Sequence, residues 1–316
     1  MGFRNRNLCL LWCLVYREIR ITWRLLHANL GVNVPFFLIQ VFARYLAVSV
    51  SQDKLVSAVL NALVIIFVCA YVFDIVNQIW SAEEDKLNKP YRPIPSGLLT
   101  VREAGWRWFL SWMIGPLVLC WFYGATAMIW LCIWQSWVFF CYVWPKYDHW
   151  LLKNLFTTFG ALQWFRLFNI VLSDIAPEWD MPFMADLIAV MWAMGTIHIQ
   201  DFSEVKGDRA SNRKTLPIIL SEDKMFYVRV ATAVYMIGYC VCAFLWGYFY
   251  FQSSPRLTTA IATGIGHFMG SLLLVFGVLF GRGQRMDKYT YYIGYPIGQT
   301  GVIIHITCLT LTRRGL

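Results

Sequence analysis

The chain has 316 residues, 59% of them hydrophobic and 14% charged, with a mean hydropathy of +0.53. Soluble domains carry about 25% charged residues, so composition excludes a water-soluble globular protein and indicates a polytopic one in the lipid bilayer. The formal net charge is +9, but basic residues scattered between apolar runs fit membrane topology, and no nucleic-acid partner is expected.

The chain opens with MGFRNRNLCLLWCLVYREIR, a basic start followed by a short apolar stretch. Charges return at Arg17, Glu18 and Arg20 with no small-residue cleavage site after them. This predicts an interfacial amphipathic segment over 1–30, not a signal peptide. A crossing helix needs about 20 apolar residues. Runs of that length fall at 33–51, 54–76, 105–123, 125–144, 151–173, 183–200, 226–252, 258–280 and 289–311. The expected fold is an all-α integral membrane protein, a bundle of about nine transmembrane helices forming a single domain over 1–316. Nine cysteines lie mostly within these runs, without zinc spacing, and read as small core hydrophobes.

Lys and Arg fix the expected orientation. One side collects Arg4, Arg17, Arg24, Lys86, Arg102, Lys153, Lys206, Lys224 and Arg285, while the other has Lys54, Arg256, Arg313 and Arg314 and an acidic DIAPEWDMP loop. The two long connections, 77–104 and 201–225, then face the cytoplasm, in the endoplasmic reticulum membrane if the source is eukaryotic. Arg44, Asp74, Arg166, Asp186, His198, Arg229, His267 and His305 fall inside spans. Such groups are either functional and turned to the bundle interior or engaged in interhelical hydrogen bonds. Asp74 and His198 stand out because their spans feed the two long connections.

Each long connection begins with a polar cluster. In NQIWSAEED, Asn77, Ser81 and Asp85 are spaced i, i+4 and i+8, with Glu84 beside Asp85. In QDFSEVKGDR, Asp201, Glu204 and Asp208 are spaced i, i+3 and i+7. Both spacings put the oxygen donors on one helix face. Oxygen donors without His or Cys select Mg²⁺, which shares phosphate oxygens with a substrate. Lys86, Lys89, Arg92, Lys206, Arg209 and Lys214 lie among these carboxylates, as phosphate binding requires. The expected ligand is therefore a diphosphate, with Mg²⁺ stabilising charge on a departing pyrophosphate.

NQIWSAEEDKLNKPYRPIPSG resembles the first signature of the UbiA-type intramembrane prenyltransferase superfamily, NDxxDxxxD followed by an RPxPSG-like segment. DFSEVKGDRASNRKTLP is similar to the second, DxxDxxGDxxxGxxTLP. The resemblance implies a helical bundle around a central cavity, with Mg²⁺ on two acidic motifs holding an isoprenoid diphosphate at the cytoplasmic mouth. Asn77, Ser81, Glu84, Asp85, Asp201, Glu204 and Asp208 are then the metal ligands, and Arg92, Lys153, Lys206 and Arg209 grip the diphosphate. Lys153 enters through LLKNLF, which resembles the family's Lys-bearing entry to the fifth span.

The chain departs from the family pattern at Gln78 and Ser81, where Asp is usual, and Glu204 stands for another Asp. The remaining NxxxSxxxD resembles the Asn/Ser/Glu triad of soluble class I terpene cyclases. GWRWFLSW, WLCIWQSWVFFCYVW and ALQWFRLF supply rings that stabilise cations or simply pack the core. The resemblance is closest to the fungal membrane terpene cyclases of the superfamily. It implies ionisation and cyclisation of farnesyl or geranylgeranyl diphosphate, with no obligatory protein partner. Prenyl transfer to an aromatic or quinone-like acceptor is the alternative. A channel or transporter would leave the two polar clusters unexplained.

Overall fold

The computed structural model describes residues 2–144, 149–210, 213–281 and 283–314, without the side chains of 2–10, 28, 31–32, 84, 87–88 and 312–314. Among the described residues there is no β-strand. Helix α1, Gly2–Ala47, runs without interruption from the basic N-terminal stretch into the first apolar run, past Pro35. Leu11, Trp12, Tyr16 and Trp23 are exposed along its first part, whereas Ile21, Leu25 and Leu26 point into the core. Arg17 reaches Glu103 at 3.2 Å, and Glu18 pairs with Arg107, fastening this part of α1 to the later chain.

Helix α2, Gln52–Trp80, ends at Ser81, where a short α3, Ala82–Asn88, begins. Thr100 and Glu103 form a reciprocal capping box that starts α4, Val101–Tyr142. This helix covers the separate runs 105–123 and 125–144, broken at Gly124, whose φ of 82° is accessible to glycine at little cost. His149 caps α5, Trp150–Ile175, by accepting a hydrogen bond from the Leu151 N–H at 3.3 Å. A single 3₁₀ turn, Pro177–Trp179, leads to α6, Phe183–Met194, and α7, Ile199–Ala210.

The expected run 183–200 is thus not one straight helix; α6 and α7 are bent by 52° across the break between them. At the break, a Cβ on Gly195 would lie 2.2 Å from the Tyr235 ring, so only glycine lets that ring close in. The remainder comprises α8, Leu216–Ile219, α9, Glu222–Phe251, α10, Leu257–Phe280, and α11, Gln284–Tyr289. A π-helical turn, Thr290–Gly294, then opens α12, Tyr295–Arg314.

Among the described residues five helices, α2, α4, α5, α9 and α10, are long and apolar enough to cross a membrane, and the α6–α7 pair makes six. The chain is a multi-pass membrane protein. Helix α1 packs on α2 and α12, α2 and α4 on α5, α5 on α6, and α6 on α12. Helices α9 and α10 pair and join through α10 to α12, so the last helix holds the two ends of the chain together. Cys69, Cys240 and Cys308 are buried as small core groups, but Cys13, Cys132 and Cys242 face outward.

Most in-span ionisable groups hold helices together. Arg44 donates to Asn169 and to the Gln40 and Trp179 carbonyls. Arg166 binds Asp186 at 2.7 Å, which also accepts from Asn169. Arg229 bridges the Val278 carbonyl and Asp287 at 2.9 and 2.8 Å. His267 and His305 meet through their Nδ1 atoms at 3.1 Å. Buried charges persist only with such partners.

Candidate functional site

The break before α7 directs its first turns toward the start of α5. Asp201, Glu204 and Asp208 share one face, with one oxygen from each lying within 4.8 Å of the others. Three carboxylates so close repel one another strongly unless cations neutralise them. Lys153 meets them from α5: Nζ donates to Asp201 Oδ1 at 2.6 Å and lies 3.5 Å from Glu204 Oε2. Thr215 donates to Asp208 Oδ2 at 2.9 Å, Gln200 donates to Glu204 Oε1 at 3.0 Å, and Arg213 stands 3.7 Å from Asp208 Oδ1. Among the described residues Asp201 Oδ2 and Asp208 Oδ1 are nevertheless buried without a hydrogen-bond partner. Buried carboxylate oxygens without a hydrogen bond are costly in a folded chain and suit a hard divalent cation with oxygen ligands. The donor set fits such an ion.

The first cluster is built on the α2–α3 junction. Ser81 donates to the Asn77 carbonyl at 2.6 Å and to Asp85 Oδ2 at 3.2 Å. Arg92 folds back over α3 and binds Asp85 Oδ2 at 2.7 Å, with both side chains almost fully buried. Among the described residues its Nε has no hydrogen-bond partner. Asn77 is half-buried, and the side chain of Glu84 lies outside the described residues. Helix α3 packs against α7, and Lys89 lies within Coulombic reach of Glu204, so the two clusters adjoin.

Gln78 turns away from this junction. Fully buried, it donates to the Leu25 carbonyl of α1 at 2.8 Å. Asp74, one turn earlier on the same face, accepts from Asn29 of α1. Lys206 and Arg209 are exposed and do not join the carboxylate face. Lys206 follows Asp201 by five residues, about 140° around a helix, which aims it away from the carboxylates.

Other groups at the site carry no motif. The π-helical turn packs on α7 and brings Tyr291 within Coulombic reach of Glu204 and Asp201, and Tyr292 within reach of Glu204 and Arg92. Single π turns recur at functional sites. One turn into α5 from Lys153, Phe156 begins a ring cluster with Tyr142, Phe73 and Trp134 at centroid distances of 4.8, 5.2 and 5.6 Å. The site therefore combines an acidic face, the buried Arg92, the half-buried Lys153 and an adjoining aromatic cluster.

These features define a multi-pass helical membrane enzyme whose polar site sits at converging helix ends. Residues 36–282 match the UbiA prenyltransferase family, and the chain belongs to that family. It is 26% identical to somaliensene A/B synthase of Streptomyces somaliensis over 89% of this chain and 90% of that protein. Two proteins of Hericium erinaceus are also similar. The diterpene cyclase eriG is 31% identical over 70% of this chain and 67% of its own, and the polyprenyl transferase eriF 30% over 70% and 71%. A solved structure of digeranylgeranylglyceryl phosphate synthase shares the fold with a TM-score of 0.56, at 14% identity, over 94% of this chain and 99% of that one.

Proposed function

We propose that this protein is a Mg²⁺-dependent terpene cyclase that ionises farnesyl or geranylgeranyl diphosphate and cyclises the resulting cation. The carrying observation is the α7 face, where Asp201, Glu204 and Asp208 converge near Lys153 and two of their oxygens receive no hydrogen bond among the described residues. In this reading they hold Mg²⁺ together with Asn77, Ser81, Glu84 and Asp85. Bound there, Mg²⁺ neutralises phosphate charge and stabilises the departing diphosphate.

The chain's own groups do the rest. Lys153 and Arg92 bind phosphate oxygens, and Lys206 and Arg209, which are exposed, guide the anion inward over longer range. The allylic C–O bond breaks with its electron pair leaving on diphosphate. Phe156, Phe73, Tyr142 and Trp134 then face the cation, each close ring offering about 2 kcal/mol when water is absent. Ring closure ends when a proton leaves or water adds.

The same reading covers topology. With α4 counted as two crossings about Gly124, the 33–47 part of α1, the α6–α7 pair and α12 complete nine spans around a central cavity. Residues 1–316 form one domain, and residues 1–30 lie in the interface. In this reading the Lys and Arg bias favours a cytoplasmic acidic site, in the endoplasmic reticulum membrane if the source is eukaryotic.

Prenyl transfer to an aromatic or quinone-like acceptor is the second reading, favoured by the likeness to eriF. Incubating the purified protein with each diphosphate and Mg²⁺, without acceptor, separates the two. Cyclic hydrocarbon or alcohol supports the cyclase. Diphosphate release that strictly requires an added acceptor replaces it with the transferase.

A further inference from the structure

Between α5, the α6–α7 break and α9 lies a cavity of about 430 Å³, within the 300–1,000 Å³ range of small-molecule sites. Its wall is mostly apolar, and two of its lining residues, Leu151 and Ala231, are exposed, so the cavity opens to the outside of the bundle. Asn154, His198, Thr232 and Tyr235 interrupt the wall with polar groups, and the Tyr235 hydroxyl donates to the Met191 carbonyl at 2.5 Å. Thr232 donates its hydroxyl proton to the Val228 carbonyl at 2.8 Å. A hydroxyl has one proton; with it on the Val228 carbonyl, Thr232 Oγ1 accepts from His198 Nε2 at 2.7 Å. The neutral ring then keeps its lone pair on Nδ1, which has no hydrogen-bond partner among the described residues. The Asn154 amide, on a residue 6% exposed, has none among the described residues either.

An acceptor and an amide left open in an apolar wall favour a ligand that satisfies both. A hydroxyl does so, donating to His198 Nδ1 and accepting from Asn154. A carbonyl would meet the histidine lone pair, and an acyl chain or hydrocarbon would pair with neither. Asn154 follows Lys153, and the Asp201 N–H bonds the His198 carbonyl at 3.0 Å, so this polar corner adjoins the acidic face.

We propose that the cavity binds a terpenoid alcohol, its hydrocarbon against the wall and its hydroxyl between His198 and Asn154. The ligand's role in turnover rests on the isoprenoid diphosphate reading. Binding itself needs neither Mg²⁺ nor diphosphate, so failure of either idea can be told from failure of the other.

The test is equilibrium binding of radiolabelled farnesol and hydroxyl-free farnesene to the full-length protein in phosphatidylcholine nanodiscs, corrected for empty discs. Wild type is expected to prefer farnesol about tenfold, equivalent to about 1.4 kcal/mol. His198→Leu with Asn154→Leu removes the preference while farnesene binding persists, and Asn154→Leu alone reduces it several-fold. Ala231→Trp, which fills the exposed rim, abolishes binding of both. Equal binding of alcohol and hydrocarbon by wild type overturns the proposal. So does an unchanged preference in Asn154→Leu, or full binding in Ala231→Trp.

Discussion

Lys153 Nζ lies 2.6 Å from Asp201 Oδ1, joining the first turn of α5 to the first turn of α7. Lys153, Arg213 and Lys89 stand against the three carboxylates, yet among the described residues Asp201 Oδ2 and Asp208 Oδ1 receive no hydrogen bond, which leaves them open to a divalent cation. Lys153→Met is therefore expected to act in opposite senses on the two ligands. With one positive charge fewer, Mg²⁺ is needed at lower concentration. The diphosphate loses a partner, and its KM rises with kcat/KM falling about 10²-fold or more, as when a buried ion pair is broken. Steady-state kinetics across a Mg²⁺ titration checks this; parallel rises in both requirements would show that Lys153 only supports the fold.

Arg92 and Asp85 form the other buried pair, at 2.7 Å. Arg92→Ala strands Asp85 and is expected to cost about 3–5 kcal/mol of stability, visible as a large drop in thermal unfolding temperature. Asp85→Asn keeps an acceptor for Arg92 and Ser81, so it is expected to fold normally but turn over at least tenfold more slowly. Wild-type turnover by Asp85→Asn would remove Asp85 from the metal ligands.

Gln78→Asp restores the residue usual in the superfamily signature, yet Gln78 faces Leu25 of α1, not the acidic site. A buried carboxylate without a cation is strongly disfavoured. The expected outcome is a loss of folded protein with no gain in rate. An increase in turnover or Mg²⁺ affinity would place position 78 at the metal.

Gly195→Ala drives a methyl group into the Tyr235 ring, whose hydroxyl is held by the Met191 carbonyl at 2.5 Å. Overpacking of this kind costs about 1–3 kcal/mol. Adding Tyr235→Ala is expected to recover much of that loss, a coupling that a double-mutant cycle measures directly. Strictly additive effects would mean that the close approach is not what holds the α6–α7 bend.

The carboxylate face of α7 was legible in the sequence because helical spacing alone aligns Asp201, Glu204 and Asp208. The same arithmetic could have set Lys206 aside. The bend at Gly195 was not legible, since its cause is Tyr235 on α9, 40 residues away in the chain. Tyr291 and Tyr292 escaped notice for a related reason. They reach the site through a π turn in the last part of the chain, and aromatic residues in an apolar run carry no local mark of such a role. The turning of Gln78 toward α1 likewise depends on a helix packed against it, not on the signature around it.

The most direct measurement is diphosphate release by the purified protein given Mg²⁺ and farnesyl or geranylgeranyl diphosphate alone, compared with Asp201→Asn/Glu204→Gln/Asp208→Asn. Helix tips converging on a metal-bound leaving group require release that depends on Mg²⁺, yields a cyclic product and disappears in the triple variant. Release that persists after chelation, or in the triple variant, would contradict that chemistry at α7.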